Sequence, residues 1–283
     1  MIKRISRQLR SRWRTRPLGR HGVAIVADTK NGVLAVPAGD FNVSRSLLTH
    51  GEYDWPQITW LTDLLGATSR VVFAGAHIGA VLIPLVRRAT TRAVIAYEPS
   101  PRNFRLLIMN LHLNGIDGVR TFNAALGERS GRVQFTENRI NTGNSRVAPT
   151  DGEITVNMAT LDSTIAADWS EIDLIVMDTE GSEVAAMRGA PSTLTRTRNL
   201  YVEFSPCQLR EQGSGAAEFV ETVGKYFKSA YVFGDPILFL GPGRFADYLK
   251  GLQHCRSLLN VLFTQDTEAN PQRMLRTLRN SEI

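Results

Sequence analysis

The sequence predicts a doubly wound α/β fold on a mostly parallel sheet. Three observations carry that reading. "RVVFAGA", "RAVIAYEP" and "IDLIVMDTEG" are unbroken apolar runs, as strands buried on both faces must be. Amphipathic stretches of helical length lie between them, "IGAVLIPLVRRA" and "SPRNFRLLIMNLHLNG" among them. Each of the three runs also ends in Gly, Glu or Asp, as expected where strand ends form a ligand crevice.

Taken in order, residues 1–22 hold Lys3, Arg4, Arg7, Arg10, Arg12, Arg14, Arg16 and Arg20 and no acid. Ile2, Ile5, Leu9 and Trp13 would form one apolar stripe on a helix, so residues 1–16 read as a solvated basic tail, an amphipathic membrane-surface segment or, being Arg-rich and acid-free, an organellar transit peptide. The whole chain carries +6, so the remaining residues are nearly neutral, which argues against a nucleic-acid surface. Arginine outnumbers lysine 28 to 5 throughout, so its abundance in the head is partly general usage.

Residues 23–65 read as a small N-terminal cap of two or three short strands ("VAIVAD", "GVLAVPA") and a helix within "SRSLLTHGEYDWPQITWLTDLL". The main domain, 66–283, follows. "VRTFNAALG" reads as a third strand, and "RVQFTE" and "EITVNMATL" as an inserted hairpin around a polar loop at 138–149 with the composition of a lid. A helix is expected over 182–195, then strands in "NLYVEFSP", "SAYVFGDP" and "LLNVLFTQD", with no strong helix between the last two. Cys207 and Cys255 match no metal spacing and read as reduced thiols. No apolar run nears the roughly 20 residues of a membrane span, and the head lacks a signal-peptide apolar region, so a cytoplasmic protein, peripheral to the membrane if the head binds lipid, is expected.

Gly75, Ala76, His77 and Gly79 close the first main strand ahead of a helix N-terminus, a place where small residues admit a ligand. Their G-x-x-x-G spacing is not the G-x-G-x-x-G of a dinucleotide site, so a nicotinamide-dependent oxidoreductase is disfavoured. Glu98 ends the second strand, placed to accept both hydroxyls of a ribose. Asp178, with Glu180 and Glu183 just beyond, ends the fourth, and Glu203 ends the fifth. So many acids at strand ends imply a functional rim, since buried acids must be paired or bonded.

From about residue 43 to 265 the chain resembles the FkbM family of S-adenosylmethionine-dependent methyltransferases. The resemblance is carried by "VSRSLLTHGEYDWPQ", "GAHIG", "AYEPSPRNFRLLIMNLHLNG", "NAALGERSG", "TLDS", "LIVMDTEGSEVAAMRGA", "LYVEFSP" and "NVLF". It implies a seven-stranded, Rossmann-like class I methyltransferase fold with a reversed last strand. It also implies O-methylation of a hydroxyl on a sugar, glycolipid or natural product. Under it, Gly75, Ala76 and Gly79 would pass under the methionine part of the cofactor and Glu98 would hold the ribose. Asn123, Ala124 and Ala125 would line the adenine. Asp178 and Glu180 would face the sulfonium and the acceptor, with Asp178 the first choice of base. Asp162 of "TLDS" would buttress the site.

Phe73 stands where most members of that family have Asp or Glu, and His77 where Asn is common. Phe73 would then wall off or stack on the cofactor. Two functions stay open: an active O-methyltransferase, or a methyltransferase-like binding or scaffold protein that has lost catalysis, which Phe73 favours and the retained acids oppose. Asp178, Glu180 and Glu203 could instead hold a divalent cation that lowers the acceptor pKa. Tyr53 and Trp55, with Trp60, could form an aromatic platform for a sugar ring, or pack the cap onto the main domain. The oligomeric state is not legible in the sequence.

Overall fold

A computed structural model of the chain describes residues 22–91, 93–148, 150–165, 169–253 and 258–270. The basic head and Cys255 lie outside them. Among the described residues no helix is long and apolar enough to cross a membrane.

The cap begins with a hairpin, β1 (Ala24–Thr29) and β2 (Gly32–Pro37), paired antiparallel from Ala24–Pro37 to Thr29–Gly32. The single helix expected next is two, α1 (Val43–His50) and α2 (Trp55–Thr62). Gly51, at φ 73°, ends α1 in the left-handed conformation glycine tolerates, and Pro56 sits at the start of α2, where a missing N–H costs nothing. The break leaves Tyr53 and Asp54 in a tight turn.

The main domain runs β3 (Arg70–Ala74), α3 (Leu82–Ala89), β4 (Ala93–Tyr97), α4 (Pro101–Leu113), β5 (Arg120–Phe122), β6 (Ala124–Leu126), β7 (Gly131–Thr136), β8 (Arg146–Val147) and β9 (Ile154–Ala159). Then come α5 (Leu161–Thr164), β10 (Ile172–Met177), α6 (Glu183–Arg188), α7 (Pro191–Thr195), β11 (Thr197–Phe204) and α8 (Pro206–Glu211). The last elements are α9 (Ala216–Gly224), β12 (Ser229–Val232), β13 (Leu238–Leu240), α10 (Arg244–Gly251) and β14 (Leu259–Thr264).

The large sheet has eight strands in the order β13-β12-β14-β11-β10-β3-β4-β5. Strands β5, β4, β3, β10 and β11 are parallel, and β14 enters antiparallel between β11 and β12. The reversed last strand is therefore present, and the expected count of seven becomes eight because β13 folds back on β12 as an edge hairpin. The expected helix at 182–195 is broken into α6 and α7 at Pro191, whose ring cannot continue a helix. α10 occupies the stretch expected to lack a helix, anchored by buried Phe245 and Leu249 at i, i+4.

Continuous apolar strands resolve into two faces. Val72, Ala74, Ile95, Tyr97, Ile175 and Met177 pack on the side of α6, α9 and α10. Val71, Phe73, Val94, Ala96, Leu174 and Val176 pack against α2, α3, α4 and the cap. The register β10–β3 places Phe73 beside Val176. A polar seam fixes the cap. The amide of buried Asn110 on α4 donates to the Ala35 carbonyl at 3.1 Å and accepts from Ala35 N–H at 2.6 Å, and Asn114 pairs likewise with Val33. Two helix amides one turn apart thus complete the edge of β2, satisfying backbone that burial would otherwise leave unpaired. The inserted hairpin pairs β7 with β9 antiparallel, and with β6 and β8 forms a four-stranded flap at the rim of the large sheet.

Candidate active site

The parallel strands end at a cavity of about 280 Å³ whose wall includes Phe73, Gly75, Ala76, His77, Glu98, Ala124, Ala125, Asp178, Glu180 and Glu203. The cap contributes Tyr53, Asp54 and Gln57, and the flap loop contributes Asn141 to Ser145. Strand ends, cap and flap therefore meet at one place.

The glycine loop after β3 is shaped first by the protein itself. The N–H groups of Gly75 and Ala76 both reach the Tyr97 carbonyl, at 3.0 and 2.8 Å. Gly75 has φ 90°, and a Cβ there would lie 1.8 Å from the Asp178 carbonyl oxygen. Close approach of β10's end is what demands glycine here, before any ligand is considered. Gly79 (φ 87°) lies off the cavity wall. A Cβ there would sit 3.0 Å from Leu107 and 3.1 Å from Ile83, so its place in the pattern reflects packing of α3 on α4.

Glu98, 5% exposed, accepts the His77 N–H at 2.8 Å through Oε2 and the Ser100 N–H at 2.9 Å through Oε1. The Asn103 side chain is a third hydrogen-bonding neighbour of this carboxyl group. Burial nonetheless pushes its pKa up to about 7 against those bonds. Beside it, Asn103, 2% exposed, donates to the Thr142 carbonyl, while its Oδ1 is buried with no partner among the described residues. Asn123 does not line the cavity. Its amide donates to the Glu98 and Pro99 carbonyls at 2.8 and 3.1 Å and braces the chain leaving β4.

At the opposite end the "DTEG" turn presents its acids by backbone design. Thr179 and Gly181 donate their N–H groups to Glu183 Oε1 at 3.0 and 3.2 Å, so Glu183 holds the turn together from behind. Glu180 adopts φ 54°. A Cβ on Gly181 would lie 2.5 Å from the Gln208 carbonyl, where α8 starts. Asp178, Glu180 and Glu203 bring carboxylate oxygens within 4.8 Å of one another, and the Gln208 amide donates to Glu180.

Solvent reaches Asp178 through the cavity mouth, yet protein closes around it. Burial, then the charges of Glu183 and Asp54, push it up to about 7. Burial and the neighbouring acids, Asp178 first, push Glu180 to about 9 and Glu203 to about 10. The cluster thus keeps its negative charge chiefly on Asp178 near neutral pH.

Two further expectations are relocated. Trp55 lies off the cavity wall, held between Lys30 Nζ (4.9 Å from its ring) and Arg88 (5.4 Å), so it anchors the cap. Trp60 packs on Tyr231 and Phe233 in the core, leaving Tyr53 as the cap's aromatic group in the cavity. The 138–149 loop is latched. Thr142 N–H donates to Asp40 at 2.9 Å, and its hydroxyl shares a 2.8 Å hydrogen bond with His77 Nε2. Burial lowers the His77 pKa to about 4, so that ring is neutral. Asp162 accepts the N–H groups of Ser192 and Thr193 and caps α7, away from the cavity.

Sequence reading passed over Asp54, Gln57, Asn103, Thr142 and Tyr201, all on the wall. For Asp54 and Gln57 the signal was present, since Gly51 and Pro56 bracket a helix break.

The profile of the Methyltransferase FkbM domain matches residues 74–231. The chain belongs to the FkbM methyltransferase family. Among curated proteins it is similar to "2-O-methyltransferase NoeI" of Sinorhizobium fredii (strain NBRC 101917 / NGR234), 30% identical over 137 residues, 42% of this chain and 56% of that protein. It is also similar to "Methyltransferase 1" of Beauveria bassiana (strain ARSEF 2860), 23% identical over 144 residues, 43% of this chain and 58% of that protein. The matches therefore span little more than half the length of these curated relatives. Among solved structures, M. jannaschii TYW2 in complex with AdoMet is similar at a TM-score of 0.43 and 10% identity, over 87% of this chain and 88% of that one. The FkbM match begins at Ala74, so Phe73 and the whole cap fall outside it.

Proposed function

We propose that the protein is an S-adenosylmethionine-dependent O-methyltransferase whose acceptor is a hydroxyl of a sugar, glycolipid or comparable polyol. The observation that carries the reading is one cavity with a doubly bonded, buried acid, Glu98, at one end and Asp178, Glu180 and Glu203 at the other. The residues fit the cofactor. Glu98 keeps acceptor capacity beyond its bonds to His77, Ser100 and Asn103 for a ribose hydroxyl, and the orphaned Asn103 Oδ1 beside it awaits a donor. Ala124 and Ala125 offer small apolar surface for the adenine, and Phe73 an apolar wall under the glycine loop.

The cofactor, when bound, supplies a methyl group activated by a positively charged sulfur. The chain's own work is alignment and proton removal. Asp178 would take the acceptor proton as the methyl group passes to the hydroxyl oxygen, and would become a neutral carboxylic acid. Its pKa near 7 suits a base at neutral pH, whereas Glu180 and Glu203 stay protonated and donate hydrogen bonds to the acceptor. Tyr53, Tyr201 and Gln208 complete a polar wall suited to a polyol. The printed name of the relative NoeI, a 2-O-methyltransferase, agrees with an oxygen acceptor.

Calorimetric titration of S-adenosylmethionine and S-adenosylhomocysteine tests the reading. Absence of binding to folded protein would favour the scaffold alternative that Phe73 suggests. A second reading rests on the three carboxyl oxygens within 4.8 Å: a divalent cation held there would activate the acceptor. Activity that survives exhaustive chelation would exclude it. The basic residues 1–16 favour a place at the cytoplasmic face of a membrane, near lipid-linked acceptors; flotation with anionic vesicles tests this.

A further inference from the structure

We propose that Asp54, with Gln57 beside it, holds the α-ammonium group of the cofactor's amino-acid tail, so that the N-terminal cap is part of the cofactor site. The inference rests on the cofactor reading above and extends it to residues outside the family match.

Four observations converge. Asp54 lines the cavity from a left-handed backbone, φ 48° and ψ 31°, a region Asp and Asn enter more readily than other L-residues but that still has to be held in place. What holds it is Asn31, fully buried, whose Nδ2 donates to both the Tyr53 carbonyl and the Ala80 carbonyl at 2.8 Å and whose Oδ1 accepts the Tyr53 N–H at 2.9 Å. One side chain thus ties the residue before Asp54 to the residue after Gly79, at the far end of the glycine loop from Glu98. Trp55, gripped between Lys30 and Arg88 of α3, fixes the residue after it.

The third observation is an orphan. Gln57 lines the same cavity, and its Oε1 is buried with no partner among the described residues. A buried acceptor left unpaired on the first turn of α2, at the cavity wall, points to a donor supplied by a ligand. An ammonium group brings three N–H donors, and a carboxylate with an amide oxygen beside it is the matching acceptor set.

Fourth, the floor below offers no substitute. Phe73, at the end of β3, presents only a ring to this part of the cavity. Among the remaining wall acids, Glu98 stands at the other end, where the proposed function gives it to the ribose, and Asp178 is given there to the acceptor. Glu180 and Glu203, raised by burial and mutual charge, are protonated near neutral pH, whereas Asp54, raised to about 6, is mainly ionised. Asp54 is therefore the cap's ready counter-charge for a cation above the glycine loop.

The test compares S-adenosylhomocysteine with its deamino analogue, which keeps the adenosine and the carboxylate and lacks the amine. Both are titrated into wild-type protein and into Asp54→Asn, a change of equal size that the left-handed backbone also accepts. Wild type should bind the amine-bearing ligand about 10- to 150-fold more tightly than the deamino one, the range for one charge-assisted hydrogen-bond set. Asp54→Asn should lose that preference while binding the deamino ligand within about twofold of wild type, which also certifies its fold. A variant that keeps the full preference, or that weakens both ligands equally, overturns the inference and leaves the cofactor reading standing. A wild type that binds neither ligand overturns both.

Discussion

Glu98 accepts the backbone N–H of His77 at 2.8 Å, so the acid that ends β4 holds the loop that ends β3. The same His77 reaches through its ring to Thr142, and Thr142 reaches Asp40 in the cap. A chain of three short contacts therefore runs from the second strand, through the glycine loop and the flap, to the cap. Glycine loop, flap and cap are built as one unit.

Gly75→Ala is expected to be costly whatever the ligand. A positive φ of 90° and a Cβ 1.8 Å from the Asp178 carbonyl oxygen combine backbone strain with overpacking against main chain. Together they are expected to cost about 2–5 kcal/mol. Denaturant unfolding measures it; a loss under about 1 kcal/mol would mean the β10 end shifts freely.

Asp178→Asn is expected to lower kcat by about 10²–10⁴, the usual worth of a positioned base. Binding of S-adenosylhomocysteine should stay near wild type, because the neutral amide keeps the wall intact. Once an acceptor is found, single-turnover kinetics separate the two effects.

Stability should fall as pH rises from about 6.5 to 9.5. Asp178, Glu180 and Glu203 are raised in the fold to about 7, 9 and 10 by burial first and neighbouring acids second. The folded chain then holds protons that the unfolded chain has released, so the stability they contribute is present below their unfolded pKa and lost upward through the folded ones. His77, lowered to about 4, works the other way, but only below its unfolded value of about 6.5. The thermal midpoint across this range should drop, and Glu203→Gln should shallow the slope. A flat or rising profile would contradict the burial of these acids.

Thr142→Val removes the hydroxyl that meets His77 while keeping the side chain's shape, at a cost of about 1 kcal/mol. Hydrogen exchange should show the 139–145 backbone protected in the wild type and faster in the variant. Equal exchange would mean that the loop is held by its backbone contacts to Asp40 and Asn103 alone.

Much of the architecture was legible because it is written in local pattern. Continuous apolar strands named the parallel sheet, and the acids at their ends marked the cavity side. Illegible were features that depend on contacts distant in sequence. Gly79 and Asn123 look like ligand residues in a motif, yet Gly79 answers to Leu107 and Ile83, and Asn123 to the carbonyls of Glu98 and Pro99. The polar composition of 138–149 suggested freedom, whereas Thr142 is 2% exposed and bonded on three sides. Asp54 becomes visible as a site residue only once Gly51 and Pro56 are taken as a break between two helices, where one helix within "SRSLLTHGEYDWPQITWLTDLL" is expected.

The most direct measurement is calorimetric titration of S-adenosylhomocysteine into wild-type protein and Glu98→Ala. Removing the carboxylate proposed to face the ribose would delete up to two charge-assisted hydrogen bonds, each about 1.5–3 kcal/mol, and free the His77 and Ser100 N–H groups it restrains. Wild-type protein should bind in the micromolar range, and the variant should lose at least about tenfold in affinity. A folded wild type that takes up no ligand at millimolar concentration, or a Glu98→Ala protein that binds as well as wild type, would contradict the cofactor reading.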